Sequence, residues 1–291
     1  MIHDNIRLIA LDLDGTTLTS HNTLSDAVKH SIEKAIACGI EVVAASGRPY
    51  ASMPESVLEI EGLNYSITSN GAAIHDKSGK RIHSSLMSEA EVIKLLRLTE
   101  GQDLIFEAYI NGLTYSDRRY FDNPTRYGCG EAYIDYARAS HGQIDDMRSF
   151  IYSHRAELDG IEFICTDKAK RESVKELVAR NTSEIYITSS SENFVEFMGK
   201  KATKGNAVKW ICDSLDIDLQ STSACGNADN DVDMIEQSGL GAAVENATPL
   251  CLNCADIIVP SNDSDGIVNL IDIILKKSSV PTRNSVVYHR R

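Results

Sequence analysis

Two carboxylates, Asp12 and Asp14, stand two residues apart in the run Asp12-Leu13-Asp14-Gly15-Thr16. At that spacing they repel each other, which raises the apparent pKa of one or calls for a cation between them. Magnesium suits oxygen donors of this kind. With a cation bound, Asp12 can stay ionised as a nucleophile while Asp14, differently solvated, passes a proton. Three further clusters add complementary groups. Ser46-Gly47-Arg48 supplies a hydroxyl and backbone amides that can hold an anionic oxygen. Lys204 follows Thr203, a residue type that caps helices, so its ammonium and the positive helix end reinforce each other. The run from Gly226 to Asp231, with Asn227, Asp229 and Asn230 inside it, is dense in oxygen ligands. A nucleophile, an acid, a hydroxyl, a lysine and metal ligands make an inventory suited to phosphoryl transfer.

Taken singly, each cluster has a plainer reading: an acidic turn, a simple turn, a surface lysine, an acidic helix start. What separates the readings is where the chain delivers them. Ile6 to Leu13 reads as an apolar strand, Ser25 caps a helical pattern that ends at Gly39, and Glu41 to Ala45 reads as a second strand. Strand, helix and strand form a right-handed parallel unit, whose carboxyl edge is where an open α/β sheet binds ligands. The Asp12 and Ser46 clusters both fall at that edge.

From about residue 84 the texture changes. Glu89 to Thr99 reads as a helix, and Leu104 to Ile110 runs through Asn111-Gly112 into Leu113 to Ser116, a strong hairpin signal. Helical patterns over Ile144 to Leu158 and Lys170 to Val178 alternate with strands Ile161 to Thr166, Glu184 to Thr188 and Asn193 to Met198. After Gly199 the parallel pattern resumes: helix Thr203 to Leu215, strand Thr222 to Cys225, helix Asp231 to Gln237, strands Leu240 to Val244 and Asp256 to Val259, helix Asp265 to Leu275. The fold class predicted is α/β, a Rossmann-like parallel-sheet core built from residues 1–83 and 199–291, with an α+β module inserted over 84–198. The two linkers form a hinge on which the insertion can open and close over the ligand edge.

The 291 residues, 42% hydrophobic and 24% charged, have the composition of a folded globular protein. No apolar stretch approaches the roughly 18 residues a membrane span needs. A formal charge of −13 opposes binding to nucleic acid or an anionic bilayer. The one dense basic cluster is the tail, Arg283 to Arg291, read as surface. Seven dispersed cysteines predict reduced thiols in a cytoplasm; Cys251 and Cys254 form a CxxC with no second pair to complete a zinc site. Asn64-Tyr65-Ser66 and Asn246-Ala247-Thr248 match glycosylation acceptors, which carry no weight without a secretory route.

With these residues in hand, the sequence resembles the haloacid dehalogenase-like superfamily, in its Cof-like branch of small-molecule phosphatases with a large α+β cap of the C2B type. The first motif of that family, DxDGT, matches Asp12 to Thr16, the second Ser46, the third Lys204, and the fourth Gly226 to Asp231. The resemblance implies hydrolysis of a phosphate monoester through an aspartyl-phosphate, with Asp12 as nucleophile and Asp14 as acid and then base. Ser46 and Lys204 would steady the transferring group, with Gly47, Arg48, Asn70 and Asn230 as substrate contacts. It implies Mg2+ held by the Asp12 carboxylate, the Asp14 backbone carbonyl and Asn227, with Asp231 nearby, directly or through water. Position 227 is where this chain departs from the family pattern: Asn offers a neutral oxygen where Asp is usual, so weaker metal binding is expected.

The partner implied is a small phosphorylated metabolite, a sugar phosphate or a nucleotide or cofactor phosphate, and both monomer and homodimer are compatible with the sequence. Specificity is expected in the inserted module, where Arg118, Arg119, Tyr120 and Tyr127 read as an exposed loop with cap contacts as the other reading. Three other readings stand beside the phosphatase. A phosphomutase of similar fold would return the phosphoryl group to a sugar and would need a phosphorylated activator. A receiver-like phospho-acceptor is opposed by Asp14, which would hasten loss of the phosphoryl group. A ligand-binding module would have lost turnover through Asn227.

Overall fold

The first strand, Leu8–Asp12 (β1), is buried along its whole length, as a central parallel strand covered on both faces requires. In the computed structural model, which describes residues 6–129, 134, 138, 141–189 and 193–277, β1 lies inside an eight-stranded sheet. The other strands of that sheet are β2 (Glu41–Ala45), β3 (Tyr65–Thr68), β4 (Ala73–Asp76), β5 (Arg81–Ser84), β12 (Thr222–Gly226), β13 (Leu240–Val244) and β14 (Ile257–Val259). Their order is β14-β13-β12-β1-β2-β3-β4-β5. The first six run parallel and the last two are an antiparallel extension.

After β1 the chain builds outward on one side, through β2 and β3. After the insertion it returns beside β1, at β12, and builds outward on the other. The order therefore reverses between β1 and β12, and the crevice at their carboxyl ends is the place where an open α/β sheet takes a ligand. Ile9 and Leu11 point to a core beneath helices Asp26–Ala37 and Gly266–Lys277. Leu8 and Ala10 point the other way, beneath helices Lys204–Leu215, Val232–Gln237 and Pro249–Cys254.

The inserted sheet contains β6 (Ile105–Ile110), β7 (Leu113–Asp117), β8 (His141–Ile144), β9 (Leu158–Ile164), β10 (Ile185–Thr188) and β11 (Phe194–Gly199), in the order β10-β11-β9-β6-β7-β8. All its pairs are antiparallel except β7 with β8. The turn between β6 and β7 is Asn111-Gly112, with both residues at positive φ, as a two-residue hairpin requires. The period of two in a strand sends Phe106, Ala108, Ile161, Phe163, Val195 and Phe197 into one core beneath the cap helices. The alternate residues, Glu107, Tyr109, Glu162 and Glu196, line a cavity shared with the first sheet.

The structure differs from the sequence pattern in four places. The helix expected from Ile144 to Leu158 is only Met147–Ser153, because Leu158 already begins β9. The hairpin β4–β5 and the strand β8 are too short and too mixed in polarity to carry a periodic signal. Helix Pro249–Cys254 holds the CxxC; Cys254 Sγ donates to the Cys251 carbonyl at 3.1 Å, and none of the seven cysteines is in a disulfide. Among the described residues no helix is long and apolar enough to cross a membrane. The basic tail lies outside the described residues.

Candidate active site

Asp12 is the last residue of β1, so the strand itself aims it at the crevice. The chain then turns at Gly15, whose φ is +76°; a Cβ there would stand 2.5 Å from Asn227 Nδ2, so glycine lets the first and fourth motifs touch. Thr17 Oγ1 donates to the Asp12 carbonyl at 2.5 Å, and Thr16 Oγ1 donates to Asn227 Oδ1 at 3.2 Å. Asn246 Nδ2 donates to the Gly15 carbonyl at 2.9 Å. A potential glycosylation asparagine thus serves as a brace for the first motif.

Lys204 is wholly buried. Its Nζ donates to Asp12 Oδ1 at 2.7 Å and to Asp231 Oδ1 at 2.6 Å. Burial alone would lower its pKa, but the two carboxylates outweigh burial and hold it firmly protonated. Burial and the Asp231 charge push Asp12 up to about 7, against the pull of Lys204. A further cation at Asp12 would hold it ionised. The lysine is placed by its helix, where Thr203 Oγ1 accepts from the Asn206 amide at 3.1 Å as the N-cap. Gly71, at φ +95°, allows the loop after β3 to reach that helix start: a Cβ at Gly71 would lie 2.2 Å from the Thr203 carbonyl oxygen.

Ser46 follows the last residue of the second strand and is buried, its Oγ accepting from the Arg48 amide at 3.1 Å. Asn70, with φ +55°, follows Ser69 at φ +48°; its amide donates to the Ser46 carbonyl at 3.1 Å. Asn70 Oδ1 accepts from Asn230 Nδ2 at 2.9 Å, joining the second and fourth motifs. Three buried atoms of this set have no partner among the described residues: Asp12 Oδ2, Asn70 Nδ2 and Asn230 Oδ1. Buried polar atoms in that condition are expected to meet a ligand, an ion or water.

Two side chains sit differently from the sequence-based roles. Arg48, expected on the substrate, instead grips Asp14, with Nε donating to Oδ2 at 2.8 Å and Nη2 to Oδ1 at 2.5 Å. Its Nη1 donates to the Ser52 carbonyl at 3.1 Å. Asp231, expected beside a metal, has both oxygens engaged: Oδ1 by Lys204, and Oδ2 by the amides of Asn227 at 2.9 Å and Ala228 at 3.0 Å. It fixes the lysine and closes the loop after β12.

No three His, Cys, Asp or Glu side chains converge as a metal cluster among the described residues. The donors that remain are the orphaned Asp12 oxygen, the Asn227 amide oxygen and the Asp14 backbone carbonyl. All are hard oxygen donors. That set fits Mg2+, which takes few protein ligands and fills its octahedron with water and substrate phosphate.

Above these groups lies a cavity of about 290 Å3, with Asp12, Asp14, Arg48, Asn227 and Asn230 on its core side. Its cap side contains Glu107, Glu162 and Glu196, which the sequence reading missed. The available signal was a carboxylate between two apolar residues in the middle of a strand, as in Phe106-Glu107-Ala108, Ile161-Glu162-Phe163 and Val195-Glu196-Phe197. Tyr120 also lines the cavity. Arg118 and Arg119 instead pair with Asp145 and with Asp103 and Asp117.

A family model described as haloacid dehalogenase-like hydrolase matches residues 9–271. Phosphatase YwpJ of Bacillus subtilis is 27% identical over 93% of this chain and 100% of its own length. The 5-amino-6-(5-phospho-D-ribitylamino)uracil phosphatase YcsE of the same organism is 25% identical over 92% of this chain and 95% of its own. A solved haloacid dehalogenase-like hydrolase from B. subtilis superposes with a TM-score of 0.80 at 26% identity, covering 92% of this chain and 99% of that one.

Proposed function

Because this chain belongs to the haloacid dehalogenase-like hydrolases, as a Cof-like phosphatase with an inserted cap, we propose that it hydrolyses a small phosphate monoester through an aspartyl-phosphate at Asp12. The observation that carries this reading is the set of three buried, unpartnered atoms, from Asp12, Asn70 and Asn230, which three separate loops bring to one crevice.

In the first half-reaction the Asp12 carboxylate attacks phosphorus, the ester P–O bond breaks, and Asp14 gives its proton to the leaving oxygen. Arg48 must release Asp14 for that transfer, so the ion pair seen here belongs to a resting arrangement. In the second half-reaction water attacks phosphorus, Asp14 takes its proton, and the bond to Asp12 breaks to free phosphate. Lys204 holds Asp12 in place, while Ser46, Asn70 and Asn230 bind phosphoryl oxygens at the crevice. Gly47 lets the backbone after Ser46 approach the phosphate. Asp12, the Asp14 carbonyl and Asn227 would hold Mg2+, which would supply charge neutralisation for the phosphoryl group. Asp231 serves it at one remove, through Lys204 and the loop of Asn227.

A cavity of about 290 Å3 is at the low end of the roughly 300–1,000 Å3 of small-molecule sites, which favours a sugar phosphate over a nucleotide. The relatives named as phosphatases support a small phosphorylated metabolite as partner. The inserted cap, residues 84–198 between the two halves of the core, would close on the linkers and exclude bulk water from the ester. Seven cysteines outside any disulfide suit a reducing cytoplasm. The test is release of phosphate from p-nitrophenyl phosphate with and without Mg2+, in the parent and in Asp12→Ala. Release should require both the metal and Asp12, with no phosphorylated activator; equal release from the two proteins would defeat the reading.

A further inference from the structure

The cap end of the cavity has a composition that phosphoryl transfer does not call for. Glu107, Glu162 and Glu196 lie on three adjacent strands, β6, β9 and β11, and the register sets Glu107 opposite Glu162 and Glu162 opposite Glu196. All three are buried, and all three face the cavity that holds Asp12 and Asn230. Side chains directly opposite on neighbouring strands are close enough to interact, and like charges so placed destabilise a sheet. A stability argument therefore does not account for the row.

Among the described residues, hydroxyls and one imidazole contact the row. Tyr109 donates its hydroxyl to Glu162 at 2.6 Å, and Ser116 donates to Glu107. His141 Nδ1 lies 3.1 Å from Glu107 Oε1. Among the described residues no lysine or arginine lines the cap side of the cavity. The opposite end holds Asp12 and Asn230, where the phosphatase reading places the phosphoryl group. The cavity is thus built to take an anion at the floor and a cation at the roof.

We infer that the preferred ester carries a protonated amine on its leaving group, and that the row Glu107, Glu162, Glu196 receives it. The inference rests on the phosphatase reading and narrows it to amino-alcohol or amino-sugar phosphates. It also excludes leaving groups that carry a second phosphate or a carboxylate, because those would meet three acids on a side that no described lysine or arginine lines.

Matched esters test this without any variant. One set is O-phosphoethanolamine, 2-hydroxyethyl phosphate and phosphoglycolate. The other is D-glucosamine 6-phosphate, D-glucose 6-phosphate and N-acetyl-D-glucosamine 6-phosphate. In at least one set the amine should exceed its neutral partner by roughly tenfold or more in kcat/KM for phosphate release, the range a single polar contact commands. Glu162→Gln and Glu196→Gln should each pull that ratio toward one. An amine ratio near or below one in both sets overturns the inference, as does a preference that both Gln variants leave intact. p-Nitrophenyl phosphate, which has no amine, separates the two claims. Its hydrolysis without any amine preference sinks the inference alone, whereas no release from any ester sinks the phosphatase reading with it.

Discussion

The floor and the roof of the cavity bury carboxylates in opposite ways. At the floor, Asp12 and Asp231 share one ammonium, and Asp231 has both oxygens satisfied by Lys204 and two backbone amides. At the roof, three glutamates lie side by side with hydroxyls and one imidazole for company, and burial together with its two neighbours drives Glu162 far above the usual carboxylate range. The floor brings its own counter-charge within the chain. The roof instead raises the proton affinity of Glu162. That difference matches the division of labour proposed above, since the phosphoryl group is common to every substrate and the leaving group is not.

The sharpest way to break the comparison is to remove the floor's cation. Lys204→Met should leave Asp12 and Asp231 buried together without compensation, costing about 3–5 kcal/mol in urea unfolding. Phosphate release should fall by roughly 10²–10³-fold or more, because the group that neutralises the site is gone. A variant as stable as the parent would show that the floor does not depend on an internal counter-charge.

The floor was legible in the sequence for a physical reason. Its groups sit where strands end, at Asp12, Ser46 and Gly226, and the ends of parallel strands can be placed from hydrophobic runs alone. Their roles were less legible than their positions. Nothing in the spacing of Arg48 and Asp14 indicates that they pair, and nothing local to Asp231 indicates that it anchors a lysine 27 positions earlier. The roof was illegible as a group because its members are far apart in the chain and meet only through strand register. Each glutamate alone looks like an interruption in an apolar strand. The short hairpin β4–β5 escaped for want of length, and the expected helix over 144–158 overran because Leu158 suits a helix face as well as a buried strand.

Protons act on the two halves with opposite sign, which sharpens the comparison at the next level of effect. His75 lies on β4 of the core sheet, its ring tilted against Tyr50 with ring centroids 4.3 Å apart and 3.3 Å from Thr68 Oγ1. Burial, with Arg81 adding to it and Asp76 partly opposing, lowers its pKa from 6.5 to about 4. The folded state therefore keeps a neutral ring while the unfolded chain takes up a proton below 6.5, so stability is lost as pH falls from 6.5 toward 4 and not further below. Two and a half units correspond to roughly 3 kcal/mol at most. The parent should lose about 2–3 kcal/mol more than His75→Gln between pH 7 and pH 4 in urea unfolding. Parallel pH profiles for the two proteins would remove this contribution from the core.

The roof should respond the other way, and by less. Glu162 faces Glu107 and Glu196 across the sheet and Tyr109 within hydrogen-bond reach. Its folded pKa lies above its unfolded value, by burial first and then by the two neighbouring charges. A raised carboxylate contributes its stability fully below the unfolded pKa and loses it as pH rises toward the folded one. The parent therefore carries a cost at neutral pH that is absent in acid. Glutamine keeps the shape and cannot ionise, so Glu162→Gln should melt higher than the parent at pH 7, by roughly 0.5–2 kcal/mol, with the gain vanishing near pH 4. Tyr109 can still donate to the amide oxygen, so the hydrogen bond at 2.6 Å has a replacement. A structural glutamate would give the reverse result, a loss at every pH, because substitution would then remove a satisfied group and relieve nothing. A gain at pH 7 paired with a weakened amine preference would show that the roof retains crowded acids at the expense of stability, which is the signature of a group kept for what it binds.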